Sequence, residues 1–205
     1  MIRKFLLFSL GFFFTILAGC TELQQALDSA TIQQPPVQYY LAAEIDTEAH
    51  RAITEQAIYQ LEEIGNPNDL VRVDYFVEQG VQIIYSSGAD KHSLWGLIEG
   101  MPTLPNDDDA IRSAMFAAGD LARQNPDISI YAIIVTDGSS NEELITSLAS
   151  VSKGLSSVQN LHLAVVGISP EHRAEFSKSF SPISGRVQFA GTDEEIASLF
   201  RTLGE

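Results

Sequence analysis

Two short segments place a carboxylate directly after an apolar run: Ile45-Asp46-Thr47-Glu48-Ala49-His50 and Val135-Thr136-Asp137-Gly138. A further acidic run, Asp107-Asp108-Asp109, closes a long stretch that also contains Thr103. Carboxylates crowded within a few ångströms repel one another unless a cation sits among them, and hard divalent ions such as Mg²⁺, Mn²⁺ or Ca²⁺ take oxygen ligands of this kind. Asp46, Glu48, Asp137 and one of Asp107, Asp108 or Asp109 could therefore form an acidic cup for such an ion. A plainer reading competes: Asp46 and Asp137 cap the N-termini of following helices, where negative charge gains about 0.3–1 kcal/mol, and the aspartate run is a solvated helix start. The histidines are scattered at positions 50, 92, 162 and 172, and His50 is a candidate ligand by its place in the segment that follows Asp46.

Trp95, within Lys91-His92-Ser93-Leu94-Trp95-Gly96, is a candidate interface anchor or a core residue at a sheet edge. Ser86-Ser87-Gly88 and Ser139-Ser140 read as turn chemistry, since neither serine pair has the flanking glycines of a nucleophile elbow. No phosphate loop, dinucleotide-binding glycine fingerprint or zinc helix motif is present.

These residues need elements to position them. Apolar runs at 38–45, 71–77, 81–85, 130–136, 161–168 and 187–189 read as strands, and amphipathic stretches at 48–64, 109–123, 142–155, 171–180 and 194–203 read as helices. Their alternation predicts an α/β fold of three layers, a doubly wound, Rossmann-like sheet with helices on both faces. Only Glu78-Gln79-Gly80 separates the second and third strands, too little for a crossover, so the pair forms a hairpin and the mostly parallel sheet is mixed, with one antiparallel strand. In such sheets ligands bind beyond the carboxyl ends of the strands, where Asp46 and Asp137 fall.

Across 205 residues, 27 acidic and 12 basic side chains give a net charge of −15, which excludes nucleic acid as a default partner. A single cysteine excludes an internal disulfide framework and multi-thiolate zinc sites. The start of the chain explains that cysteine. Arg3 and Lys4 precede an apolar run over 5–17, too short to span a bilayer, which ends in Leu17-Ala18-Gly19-Cys20. This pattern resembles the lipobox of bacterial lipoproteins. The resemblance implies a signal peptide over 1–19, cleavage before Cys20, and acylation of Cys20 with diacylglycerol and palmitate-type chains that anchor the protein in the lipid bilayer. It implies an extracytoplasmic place in the cell envelope, and, because Thr21 rather than Asp follows the cysteine, the outer membrane if the cell is Gram-negative. Residues 20–36 are polar and end in a proline pair, a tether reaching about 20–25 Å.

The order of elements over 37–205 resembles the von Willebrand factor A-type domain: a strand with terminal Asp, a helix, a hairpin, a long loop, a helix, then a strand ending in Thr-Asp-Gly. The close, Phe189-Ala190-Gly191-Thr192-Asp193-Glu194-Glu195, also fits. That family commonly holds Mg²⁺ or Mn²⁺ through an Asp-x-Ser-x-Ser loop, a threonine in a second loop and the Asp of Thr-Asp-Gly, and the ion takes a carboxylate from a partner protein. Here Asp46 and Asp137 match, whereas Glu48 and His50 stand at the two serine positions, and Thr103 or Asp109 stands at the threonine. The resemblance implies a protein-binding module that recognises another envelope protein, with a degenerate metal site. The alternative is a metal-independent envelope scaffold. A phosphatase-like hydrolase of the haloacid dehalogenase type fits less well, since it needs an aspartate where Glu48 stands.

Overall fold

The structure is a computed structural model that describes residues 37–64, 69–78, 80–87, 94–98, 101–105, 110–138 and 142–204. Residues 1–36, which hold Cys20 and the segments expected to be signal and tether, lie outside the described residues, as do Asp107, Asp108 and Asp109. Among the described residues, no helix is long and apolar enough to cross a membrane.

Six strands form one sheet in the order β3-β2-β1-β4-β5-β6. They are β1 (Gln38–Ala43), β2 (Leu70–Val77), β3 (Gly80–Ser87), β4 (Ile130–Val135), β5 (Leu161–Val166) and β6 (Val187–Ala190). Every neighbouring pair is parallel except the β2–β3 hairpin. The expected mixed, doubly wound α/β architecture is therefore present.

The strands divide their side chains between two cores by the two-residue period of a pleated strand. Tyr40 and Ala42 of β1 enter one core, where they meet α3 (Ala110–Gln124), α4 (Glu142–Leu155) and α5 (Pro170–Ser179). Tyr39, Leu41 and Ala43 enter the other, against α1 (Glu48–Glu63) and α6 (Asp193–Gly204). With both faces covered, β1 is buried along its whole length, which is why its sequence is nearly continuous in apolar residues. Helix α3 buries Ala110, Ala114, Ala118 and Ala122 at four-residue spacing, so its backbone lies close to the sheet. A side chain at Gly119 would start 2.4 Å from Leu155 Cδ2, so glycine there sets how closely α3 and α4 approach.

Several local expectations are corrected. Ser86 and Ser87 continue β3 and are not a turn, because the hairpin pairs Val71 with Ser87. Trp95 opens a one-turn helix, α2 (Trp95–Ile98), inside the stretch read as a loop. A 3₁₀ segment, Ser181–Arg186, lies between α5 and β6, where Pro182 starts a tight turn. The Arg186 guanidinium donates to the carbonyls of Val158, Leu161 and Ser156 and so satisfies backbone oxygens at and beyond the end of α4.

One charged cluster is built into the first core. Asp74 is fully buried, accepts two hydrogen bonds from Arg72 at 2.9 and 2.6 Å, and accepts a third from the Tyr40 hydroxyl at 3.0 Å. The Arg72 guanidinium also lies 5.2 Å from the Tyr40 ring centroid. Burial, with Asp74 beside it, raises the Tyr40 phenol far above its ordinary range. Removing one partner of a buried pair leaves the other charge uncompensated. Arg72→Ala is therefore expected to destabilise the fold by about 3–5 kcal/mol in urea unfolding, and a loss below 1 kcal/mol, the range of exposed pairs, would contradict the burial of Asp74.

Candidate functional site

Because β1 and β4 are parallel and paired Ala43 to Val135, their carboxyl ends emerge side by side. Each chain then turns in a way that fixes an acid. After β1, the Glu44 amide donates to the Val135 carbonyl at 3.0 Å, and Thr47 becomes the N-cap of α1, its hydroxyl accepting from the His50 amide at 3.1 Å. The expected capping role of Asp46 thus belongs to Thr47, which frees the Asp46 carboxylate for the imidazole one turn on. After β4, Gly138 takes a positive φ of 77° and donates to the Thr136 hydroxyl at 3.2 Å. A Cβ at Gly138 would lie 2.9 Å from Ile168, so this turn needs glycine on both counts. The Asp137 carbonyl accepts from the Ser169 amide at 3.1 Å and is met by His172 Nδ1 at 3.2 Å. Asp137 does not cap α4, which starts only at Glu142.

The two ends converge on His50. Its Nδ1 lies 2.5 Å from Asp46 Oδ1 and 3.9 Å from Glu44 Oε2, and its Nε2 lies 3.5 Å from Asp137 Oδ2. The imidazole is buried while Asp46 and Asp137 are 33% and 40% exposed, so the ring sits beneath two carboxylates that face solvent. Burial alone would push the ring's pKa down. The hydrogen bond that the protonated ring donates to Asp46 and the charges of Glu44, Asp46 and Asp137 outweigh it and hold the ring above its ordinary value.

Donor atoms of Glu44, Asp46 and His50 lie within 4.8 Å of one another, close enough to share one metal ion. Glu44 is the member that the sequence reading passed over, although a lone acid inside the buried run Ala42-Ala43-Glu44-Ile45 was a visible signal. Glu48 is not part of this group: it is 74% exposed and pairs with Arg51 at 2.5 Å. Asp109 lies outside the described residues. Thr103 is exposed in a segment tied to the same end of the sheet, where the Leu104 amide donates to the Ile45 carbonyl at 3.1 Å. Beside it, Val77, Glu78, Leu104 and Pro105 line an open cavity of about 370 Å³. Trp95 opens α2, next to buried Leu94 of the second core.

His162 stands elsewhere, stacked on Tyr131 with ring centroids 5.0 Å apart, and burial together with Arg186 lowers its pKa. The residues at the top of the sheet thus make a centre of three acids and one imidazole, able to hold a proton or a cation between acidic oxygens.

A histidine whose folded pKa exceeds its ordinary value of about 6.5 contributes stability that is fully present below that pH and is lost as pH rises through the folded pKa. In chelator-treated protein, the stability of the wild type over His50→Gln is expected to shrink as pH rises above 6.5, read from urea midpoints at each pH. A difference that grows with pH would contradict the acidic setting of the ring.

No family model matches the chain, and no curated protein matches it. Solved structures do. An aerotolerance-related membrane protein from Bacteroides fragilis is 14% identical, with a TM-score of 0.58 over 81% of this chain and 96% of that one. A von Willebrand factor type A protein from Catenulispora acidiphila is 16% identical, with a TM-score of 0.60 over 83% of this chain and 42% of that one. Proximal thread matrix protein 1 of the mussel byssus, described with zinc in its MIDAS motif, is 12% identical, with a TM-score of 0.52 over 82% of this chain and 44% of that one. Element order, sheet order and these likenesses together give the chain the von Willebrand factor A-type fold.

Proposed function

We propose that this chain is a lipid-anchored, extracytoplasmic protein-binding module that meets its partner through the loops at the carboxyl ends of β1 and β4. The observation that carries this reading is the convergence of Asp46 and Asp137, both partly exposed, over a buried imidazole at the end of the sheet where such folds bind ligands. A cation or proton held there gives a partner's polar group a charged, fixed target, and the cavity beside Leu104 and Pro105 offers room for an apolar side chain. Anchoring is read from the lipobox-like Leu17-Ala18-Gly19-Cys20, with residues 20–36 as tether and 37–205 as the binding domain. The likeness to a bacterial membrane protein supports an envelope setting. A divalent metal fits the donor groups of Glu44, Asp46 and His50, and the mussel protein described with zinc is a precedent for a metal on this fold.

A metal-independent scaffold is the second reading, and the 2.5 Å contact between His50 and Asp46 favours it, since an imidazolium can neutralise the acids without an ion. Both readings make the chain a binding protein rather than an enzyme. The test is crosslinking in the native envelope followed by identification of the adduct. The double variant Asp46→Asn, Asp137→Asn is expected to lose the partner adduct while keeping its membrane fraction and its native far-UV circular dichroism at the assay temperature. An unchanged adduct would move the interface away from the top of the sheet, and Cys20→Ala should release the chain from the membrane.

A further inference from the structure

We infer that the centre formed by Glu44, Asp46 and His50 takes a borderline transition metal of the Zn²⁺ class, in preference to Mg²⁺ or Ca²⁺, with Asp137 orienting the imidazole and not binding the ion. The inference deepens the reading of the top of the sheet as the binding site and rests on it.

The donor set decides the metal class. Mg²⁺ and Ca²⁺ are hard ions that take oxygen ligands, and Mg²⁺ gives up its water reluctantly. Replacing an oxygen donor by an imidazole nitrogen shifts preference toward Zn²⁺ and its neighbours in the transition series. Here the nitrogen is not peripheral. His50 Nδ1 faces both Asp46 Oδ1, at 2.5 Å, and Glu44 Oε2, at 3.9 Å. Both His50 and Glu44 are buried, which limits the water a large hydrated ion could keep.

The geometry needs modest change: the three donor atoms already lie within 4.8 Å of one another, so the Glu44–Asp46 pair closes by up to about 1.5 Å. Zinc bonds to nitrogen and carboxylate oxygen of about 2.0–2.2 Å in a tetrahedral site place donor atoms about 3.3 Å apart. The Nδ1–Asp46 pair must open by less than an ångström, and the Nδ1–Glu44 pair must close by less than that. Asp46 lies on an irregular segment before α1 and is partly exposed, so it is the donor free to move. The ion takes the place of the hydrogen bond between Nδ1 and Oδ1, and the proton of that bond leaves to solvent. Three protein donors would leave a fourth position of a tetrahedral ion for water or a partner's donor, and Asp46, 33% exposed, is the ligand nearest solvent.

The other ring nitrogen supplies the second argument. Ligating histidines commonly donate their remaining N–H to a carboxylate, which fixes the tautomer and the ring plane. His50 Nε2 faces Asp137 Oδ2 at 3.5 Å, on the side of the ring away from Glu44 and Asp46. One histidine thus has a donor pair at one nitrogen and an orienting acid at the other.

The test uses the full chain, stripped with chelator and titrated separately with Zn²⁺, Mg²⁺ and Ca²⁺ while thermal unfolding is followed. Micromolar Zn²⁺ should raise Tm, since an ion that binds only the folded state stabilises it, while millimolar Mg²⁺ and Ca²⁺ should leave it in place. Co²⁺ as a probe should give the intense visible absorption of a four-coordinate site. Glu44→Gln should abolish the zinc shift. Should that buried variant fail to fold, Asp46→Asn, at a partly exposed position, serves in its place. Asp137→Asn should weaken zinc binding by roughly 10–100-fold without abolishing it. The inference falls if no metal moves Tm, if Mg²⁺ acts as strongly as Zn²⁺, or if Asp137→Asn abolishes binding while Glu44→Gln spares it. Envelope crosslinking that still needs Asp46 and Asp137 when no metal moves Tm would keep the binding-module reading while this one ends.

Discussion

Parallel strands that end side by side bring their terminal acids together, and something positive must then stand among them. In this chain the register of β1 against β4 delivers Asp46 and Asp137 to one place, with Glu44 below them on the same strand end. The compensating group is the imidazole of His50, whose two nitrogens face acids on opposite sides. Thr47 permits this arrangement by capping α1 itself, so the Asp46 carboxylate is not drawn onto the helix N-terminus. On the other strand, Gly138 turns the chain directly after Asp137 by taking a positive φ and donating back to the Thr136 hydroxyl.

The same logic of compensated charge recurs away from the site. Arg72 and Tyr40 surround the buried Asp74 in the middle of the sheet. At the far edge, Glu195 accepts from Arg173 and from the Gly191 amide, and these bonds hold its carboxyl down at about 2. That pair ties the start of α6 to α5 across a point where a Cβ on Gly191 would come 2.3 Å from the Ile168 carbonyl. A strongly acidic protein thus pairs several of its few arginines with named acids, and because each pair is neutral the net charge of −15 falls on the remaining acids.

Much of this was legible before any coordinates. An apolar run followed at once by an acid marks the end of a buried parallel strand, so Asp46 and Asp137 could be placed on one edge from 45–46 and 135–138 alone. The hairpin followed from the short link before Gly80. Glu44 escaped because it lies inside a run that reads as strand, where the period places it but does not say what faces it. His50 could be put near Asp46 by its four-residue spacing, yet its central place depends on the pairing of β1 with β4, which no local pattern encodes. Glu48 looked equivalent to Asp46 in sequence, and only the contact with Arg51 separates them. The one-turn helix at Trp95 and the 3₁₀ segment at Ser181 are shorter than any periodicity can reveal.

The central claim is that one imidazole links the acids of two separate strand ends. Double-mutant cycles test it most directly: His50→Gln combined with Asp46→Asn, and separately with Asp137→Asn, measured by urea unfolding of chelator-treated protein. The account predicts that both pairs are non-additive, with favourable coupling of about 0.5–3 kcal/mol, the range for residues in contact. Additive effects for the His50–Asp137 pair would contradict it, because they would mean that the ends of β1 and β4 do not share a charge centre.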